Sequence, residues 1–125
     1  MSIFLKTFNA EFSRFLEDLI LILPNEKNLK VAKKSFLAMK KINPKLLINN
    51  YYYYVTRKYK EQIYNKDLDF FITKKYDNDL QGVPDSLETL EIINKIKNPI
   101  SNLNSINKDK SCKYLINLTK LSELY

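Results

Sequence analysis

Residues 43–60 read NPKLLINNYYYYVTRKYK, and whether they form a helix or a strand decides the fold class. Within them the run Tyr51-Tyr52-Tyr53-Tyr54-Val55-Thr56 has the aromatic and β-branched composition of a strand. Two observations outweigh that composition. Asn43-Pro44 is a helix start, with Asn as N-cap and Pro at the first helical position, where a missing N–H is harmless. A lone strand is also unstable without a partner, and nowhere else does the chain offer a second convincing one. The stretch therefore reads as a third helix, with an inner face of Leu47, Tyr51, Tyr54 or Val55, and the stem of Lys58.

Helices follow in both directions. Upstream, Phe4, Phe8, Phe12, Phe15, Leu16, Leu19 and Leu23 recur at steps of four and three, which puts one apolar face on a helix over roughly 2–23. Ile3, Leu5, Ile20, Leu21 and Ile22 widen that face, so this helix reads as the centre of a bundle or the seam of a homo-oligomer. Pro24 closes it, and Asn25 is the expected cap of a second helix over about 26–42 with the stripe Leu29, Ala32, Phe36 and Met39. Downstream, Asp67 caps a short helix carrying Leu68, Phe71 and Ile72, and residues 77–84, which include the single glycine Gly82, read as the longest loop. Asp85 with Glu88 opens a fifth helix in the manner of a capping box, with Leu87, Leu90, Ile93 and Ile96 or Lys97 along one side and Pro99 as its stop. A final helix begins at Asn104 or Ser105 and carries Cys112, Leu115, Leu118, Thr119 and Tyr125 at helical steps. The expectation is an all-α fold, one compact domain over 1–125 built as a bundle of five or six short helices.

Composition supports one core and excludes much chemistry. At 125 residues with 45% hydrophobic content the chain suits one globular domain and is too apolar for disorder. No apolar run approaches the roughly 18 residues of a membrane span, and charges at Lys6, Glu11, Arg14, Glu17 and Asp18 interrupt any leader-like segment. A lone cysteine, Cys112, cannot form an intrachain disulfide and fits a reducing compartment. With no histidine the commonest general base and metal ligand are missing, so Ser-His or Cys-His nucleophiles and ordinary zinc sites cannot be assembled. With one glycine there is no GxGxxG turn and no GxxxxGK[ST] loop. The carboxylate pairs Asp67/Asp69 and Asp77/Asp79 are the remaining hard-cation candidates, against their simpler reading as a cap and a solvated loop. Cys112 reads as a buried, inert thiol. The expectation is a non-enzymatic protein without cofactor or metal.

Charge marks one region. The net charge is +7, and residues 1–62 hold 12 Lys/Arg against 5 Asp/Glu, whereas residues 63–125 hold 9 of each. Lys, Asn, Ile, Tyr and Phe abound while Gly, Ala, Arg and Pro are scarce, a skew toward AT-rich codons that accounts for part of the lysine excess. Distribution is not explained that way. Lys27, Lys30, Lys34 and Lys41 fall at helical spacing, Lys33 and Lys40 lie on an adjoining row, and Lys45 opens the next helix. Tyr52, Tyr53, Arg57, Lys58, Tyr59 and Lys60 follow, and cations interleaved with aromatics are the composition of single-strand binders. Lysine in place of arginine argues against base-specific readout. An acidic protein partner and a plainly solvated face fit the same lysines. Four successive tyrosines point all around a helix, so at least one of them faces outward, as interface tyrosines do.

Four blocks, FNAEFSRFLEDLILIL (8–23), NPKLLINNYYYYV (43–55), DLDFFITKKY (67–76) and KYLINLTKLSELY (113–125), give the chain a resemblance to short proteins of nucleocytoplasmic large DNA viruses of the mimivirus-like kind. What the resemblance implies is a setting: a protein made in the host cytoplasm, held in the viral factory or the virion, with viral or host proteins and viral nucleic acid as its partners. It carries over no functional residues. The resulting expectation is a protein–protein interaction or structural module of such a virus, and the alternative is a lysine-based, sequence-independent nucleic-acid binder.

Overall fold

Residues 46–64 form one unbroken but not uniform helical rod, which starts two residues later than the Asn43-Pro44 reading expects because 43–45 form a turn before it. In the computed structural model, which describes residues 2–73 and 86–125, the rod consists of α3 (Leu46–Tyr51), a π-turn (Tyr52–Thr56) and α4 (Arg57–Tyr64). Spacing explains the π-turn. Leu47, Tyr51, Val55 and Ile63 are buried and Tyr59 is packed against the same core, so the inward positions repeat every four residues. Four turns of an α-helix take about 14.4 residues, and these four steps take 16, a surplus of about 1.6 that would swing the stripe out of the core. One widened turn, in which the Arg57 N–H reaches back to the Tyr52 carbonyl, absorbs most of it. The inner face is thus Leu47, Tyr51 and Val55 as expected, while Lys58 is exposed and Tyr59 takes the inward place assigned to its stem. The Tyr54 side chain lies outside the described residues.

The other helices are α1 (Ile3–Ile22), α2 (Lys27–Ile42), α5 (Leu68–Thr73), α6 (Ser86–Ser101) and α7 (Ser105–Leu124). The described residues are almost entirely helical, without a strand among them, so the fold is all-α. Among the described residues seven α-helices stand where five or six were expected, or six rods if 46–64 is taken as one. α1 packs on α7 along one side and on α2 along the other, and α2 packs in turn on α6. Their buried side chains form one continuous core, from Leu5, Phe8, Phe12, Phe15, Leu16 and Leu19 on α1 to Leu115 and Leu118 on α7. Burying each of these large apolar side chains is worth roughly 1.5–3 kcal/mol.

Caps and corrections follow from local chemistry. Ser2 caps α1, its Oγ accepting the Phe4 N–H at 3.2 Å. The α1 stripe is rotated from the expected one: Leu5 is buried, Phe4 is exposed and Leu23 only half-buried, because the helix ends at Ile22 and Leu5 continues the Phe8/Phe12 row. Asn25 does not cap α2. Glu26 occupies that position without a side-chain cap bond. At the next corner Lys45, not Asn43, holds the N-cap position of α3; Asn43 instead closes the preceding turn, its Oδ1 accepting the Lys45 N–H at 3.3 Å, and the Asn9 amide of α1 donates to the Pro44 carbonyl at 3.0 Å. Asp67 caps α5 through the Phe70 N–H at 3.0 Å, and Asn104 caps α7 through the Asn107 N–H at 2.9 Å. Pro99 does not stop α6. It lies inside the last turn, two residues before the end at Ser101, where one missing N–H and one crowded carbonyl are tolerated because the helix finishes at once. Tyr125 is exposed rather than part of the α7 stripe, since α7 ends at Leu124. Residues 77–84 and Asp85, with its expected cap, lie outside the described residues.

Between α4 and α5 the chain turns on Lys66, whose φ of 58° is left-handed. The Asp67 N–H bonds back to Gln62 O at 2.9 Å and the Lys66 N–H to Ile63 O at 3.0 Å, the paired bonds of a Schellman C-terminus that a glycine would serve with less strain.

Candidate interaction surfaces

The rod and α7 meet through hydroxyls. Buried Tyr51 donates to the Leu115 carbonyl at 3.2 Å and lies 3.0 Å from Thr119 Oγ1, and one turn on, the Thr56 and Ser122 hydroxyls are 2.7 Å apart. Burial drives the Tyr51 phenol far above its ordinary range, so it stays neutral and bonded. At the rim, Tyr64 donates to Glu123 Oε1 at 2.6 Å and Tyr114 donates to Asp18. Desolvation first and the carboxylate bond second push both phenols up from 10.0 to about 12. The Tyr64 hydroxyl in turn holds the Glu123 carboxyl below the usual range, with Lys60 3.5 Å away adding to it.

This ladder fixes how the π-turn presents its outer side chains. Tyr53 is half exposed (51%), with the edge of the Tyr52 ring against it at 5.5 Å between centroids and the Arg57 guanidinium 5.5 Å from its centroid. A cation over an exposed ring is worth about 0.5–1 kcal/mol, enough to pre-order the pair. Arg57 and Lys58 are exposed beside it.

The expected lysines lie on α2 and at the start of α3. α2 carries six lysines and no acidic residue. Lys27, Lys30, Lys34 and Lys41 are exposed, with no acidic partner within 4 Å among the described residues, and Lys45 is exposed at the start of α3. Lys33 and Lys40 are half-buried and engaged, the first 3.5 Å from Glu17 and the second over the Phe36 ring at 5.9 Å. α2 packs on α6, α1 and α3, and the π-turn on α3, α4 and α7, so the lysines and the tyrosine cluster stand on helical segments with different main packing partners.

A third feature escaped the sequence reading. An open groove of about 200 Å³ lies between the end of α1 and the start of α7, lined by Phe15, Leu19, Leu21, Ile22, Lys110 and Tyr114. Leu21 stands exposed at its edge, and the signal for it was the apolar excess of residues 20–22 beyond the α1 stripe.

No group of three or more His, Cys, Asp and Glu side chains that could hold a metal occurs among the described residues. Asp67 is the α5 cap, and Asp77 and Asp79 lie outside the described residues. Cys112 is buried beside Lys66, and burial, with Asp109 adding, pushes its thiol up and away from the reactive thiolate. No helix among the described residues is long and apolar enough to cross a membrane. The chain matches no protein-family model, and comparison with curated proteins and with solved structures gives no match.

Proposed function

We propose that this chain is a non-enzymatic helical interaction module of a large DNA virus, acting in the viral factory or the virion, and that it docks a protein partner through the Tyr52–Tyr53–Arg57 cluster. The observation that carries this reading is Tyr53: a large ring half in solvent, held by Arg57 and Tyr52 on a turn that the buried Tyr51 and Thr56 hydroxyls anchor to α7. Rigid, exposed Tyr and Arg are the residue types that dominate binding energy at interfaces. The viral setting comes from the sequence resemblance. The test is affinity capture from infected-cell extract with the Tyr53→Ala/Arg57→Ala protein beside the natural one. Loss of the captured protein at an unchanged melting temperature is expected, and undiminished capture would contradict the reading.

A second reading, sequence-independent nucleic-acid binding, is favoured by a separate observation: the four exposed α2 lysines without acidic partners. Lys30 and Lys34 are like charges one turn apart, an arrangement that costs a free helix a few tenths of a kcal/mol and that a polyanion would relieve. Changing Lys30 and Lys34 to Glu should abolish binding to DNA and RNA at low salt while leaving capture through Tyr53 intact.

A further inference from the structure

Resting on the second reading, we infer that the ligand of the α2 lysine face is the backbone of duplex DNA, held through four lysine–phosphate contacts, and not a single strand. Single-strand binders need exposed rings on which bases stack. The only ring on α2, Phe36, is fully buried, whereas the half-buried Tyr52 and the exposed Tyr53 stand on the π-turn, with Arg57 5.5 Å from the Tyr53 ring centroid. What α2 shows to solvent between its lysines is aliphatic: Val31, Leu37 and Ala38 are exposed. Such a face has no arginine, and the exposed amide of α2, Asn28, is turned about 100° round the helix from Lys27, so the lysines meet phosphates rather than base edges.

The spacing suits a regular polyanion. Lys27, Lys34 and Lys41 repeat every seven residues, roughly 10.5 Å apart at 1.5 Å per residue, with Lys30 in the neighbouring row. The 16 residues of α2 span about 24 Å, the length of roughly seven base pairs of duplex, whose charge density is one per 1.7 Å. Lys33 and Lys40 are excluded from the count because Glu17 and Phe36 already occupy them.

Four contacts fix the salt dependence. At about −0.9 per phosphate the slope of log K against log salt is about −3.6, so affinity falls roughly 150-fold between 50 and 200 mM salt. The experiment is fluorescence anisotropy with a duplex of about 20 base pairs and its single strand over that salt range, using the natural protein and Lys30→Gln/Lys34→Gln, which keeps the fold because both side chains are exposed. Support is duplex binding at least as tight as single-strand binding, with a slope near −3.6 that drops by about 2 in the variant. Tenfold tighter binding to the single strand, or a slope that the variant does not move, would overturn the duplex inference and leave nucleic-acid binding standing. No binding of either strand form at 50 mM salt would overturn both.

Discussion

The two sides of α1 are held by different means. Toward α2 and α6 the contacts are apolar: Phe12 meets Phe36 at 4.9 Å between ring centroids, and Leu29, Ala32, Ile92, Ile96 and Ile100 complete a layer with no buried hydroxyl among the described residues. Toward α7 and the π-turn the core is threaded with polar pairs, Tyr51 with Thr119 and Thr56 with Ser122, and edged by Tyr64–Glu123 and Tyr114–Asp18. An apolar layer stabilises without fixing register, since aliphatic and aromatic contacts tolerate sliding. A buried hydroxyl pair has to meet its partner, because an unmade bond costs about 1–3 kcal/mol. The polar side therefore sets the register of the π-turn, and the exposed Tyr53–Arg57 pair inherits its orientation.

Substitutions can break that contrast. Phe36→Ala, at a fully buried site on the apolar side, should cost about 3–5 kcal/mol in urea denaturation, and a loss below about 1 kcal/mol would mean that side is loosely packed. Tyr51→Phe should cost about 1–2 kcal/mol, since it strips one partner from Thr119 and Leu115, and Thr56→Val about 1 kcal/mol. If the ladder acts as a unit, the double variant should lose less than the sum of the two, whereas strict additivity would make the two rungs independent.

Alkali tests the same side more gently. Tyr64 and Tyr114 hold their protons to about 12 in the folded chain and to about 10 once unfolded, so between those values the native state binds more protons and stability falls as pH rises. Denaturant midpoints should drop across pH 10–12, and Tyr64→Phe/Tyr114→Phe should flatten the drop. Lys66→Gly has the smallest expected effect, a gain of about 0.5–1 kcal/mol from relief of the left-handed backbone, read as a higher melting temperature.

Much of the fold was legible because helix periodicity and capping are local. The Leu29/Ala32/Phe36/Met39 stripe, the Asp67 cap, the start of α7 at Asn104 or Ser105, and the helical state of the tyrosine run all follow from spacing and chain chemistry. Pro99 misled because its cost depends on distance from the helix end, which is set by the turn at Asn102 and Leu103 rather than by proline itself. The π-turn was written in the four-residue repeat of Leu47, Tyr51, Val55, Tyr59 and Ile63, a period too long for an unmodified α-helix. The different packing partners of the basic and tyrosine-bearing helices, on which the proposed division into two surfaces rests, were not legible, because they depend on which helices α2 and the rod pack against.

That division is tested most directly by a photo-crosslinking amino acid placed at position 53 in one protein and at position 34 in another, irradiated in infected-cell extract. Position 53 should give a discrete protein adduct that survives nuclease, and position 34 an adduct that nuclease removes. The same adduct from both positions, or none from position 53, would contradict two separate surfaces with the tyrosine cluster as the protein-docking site.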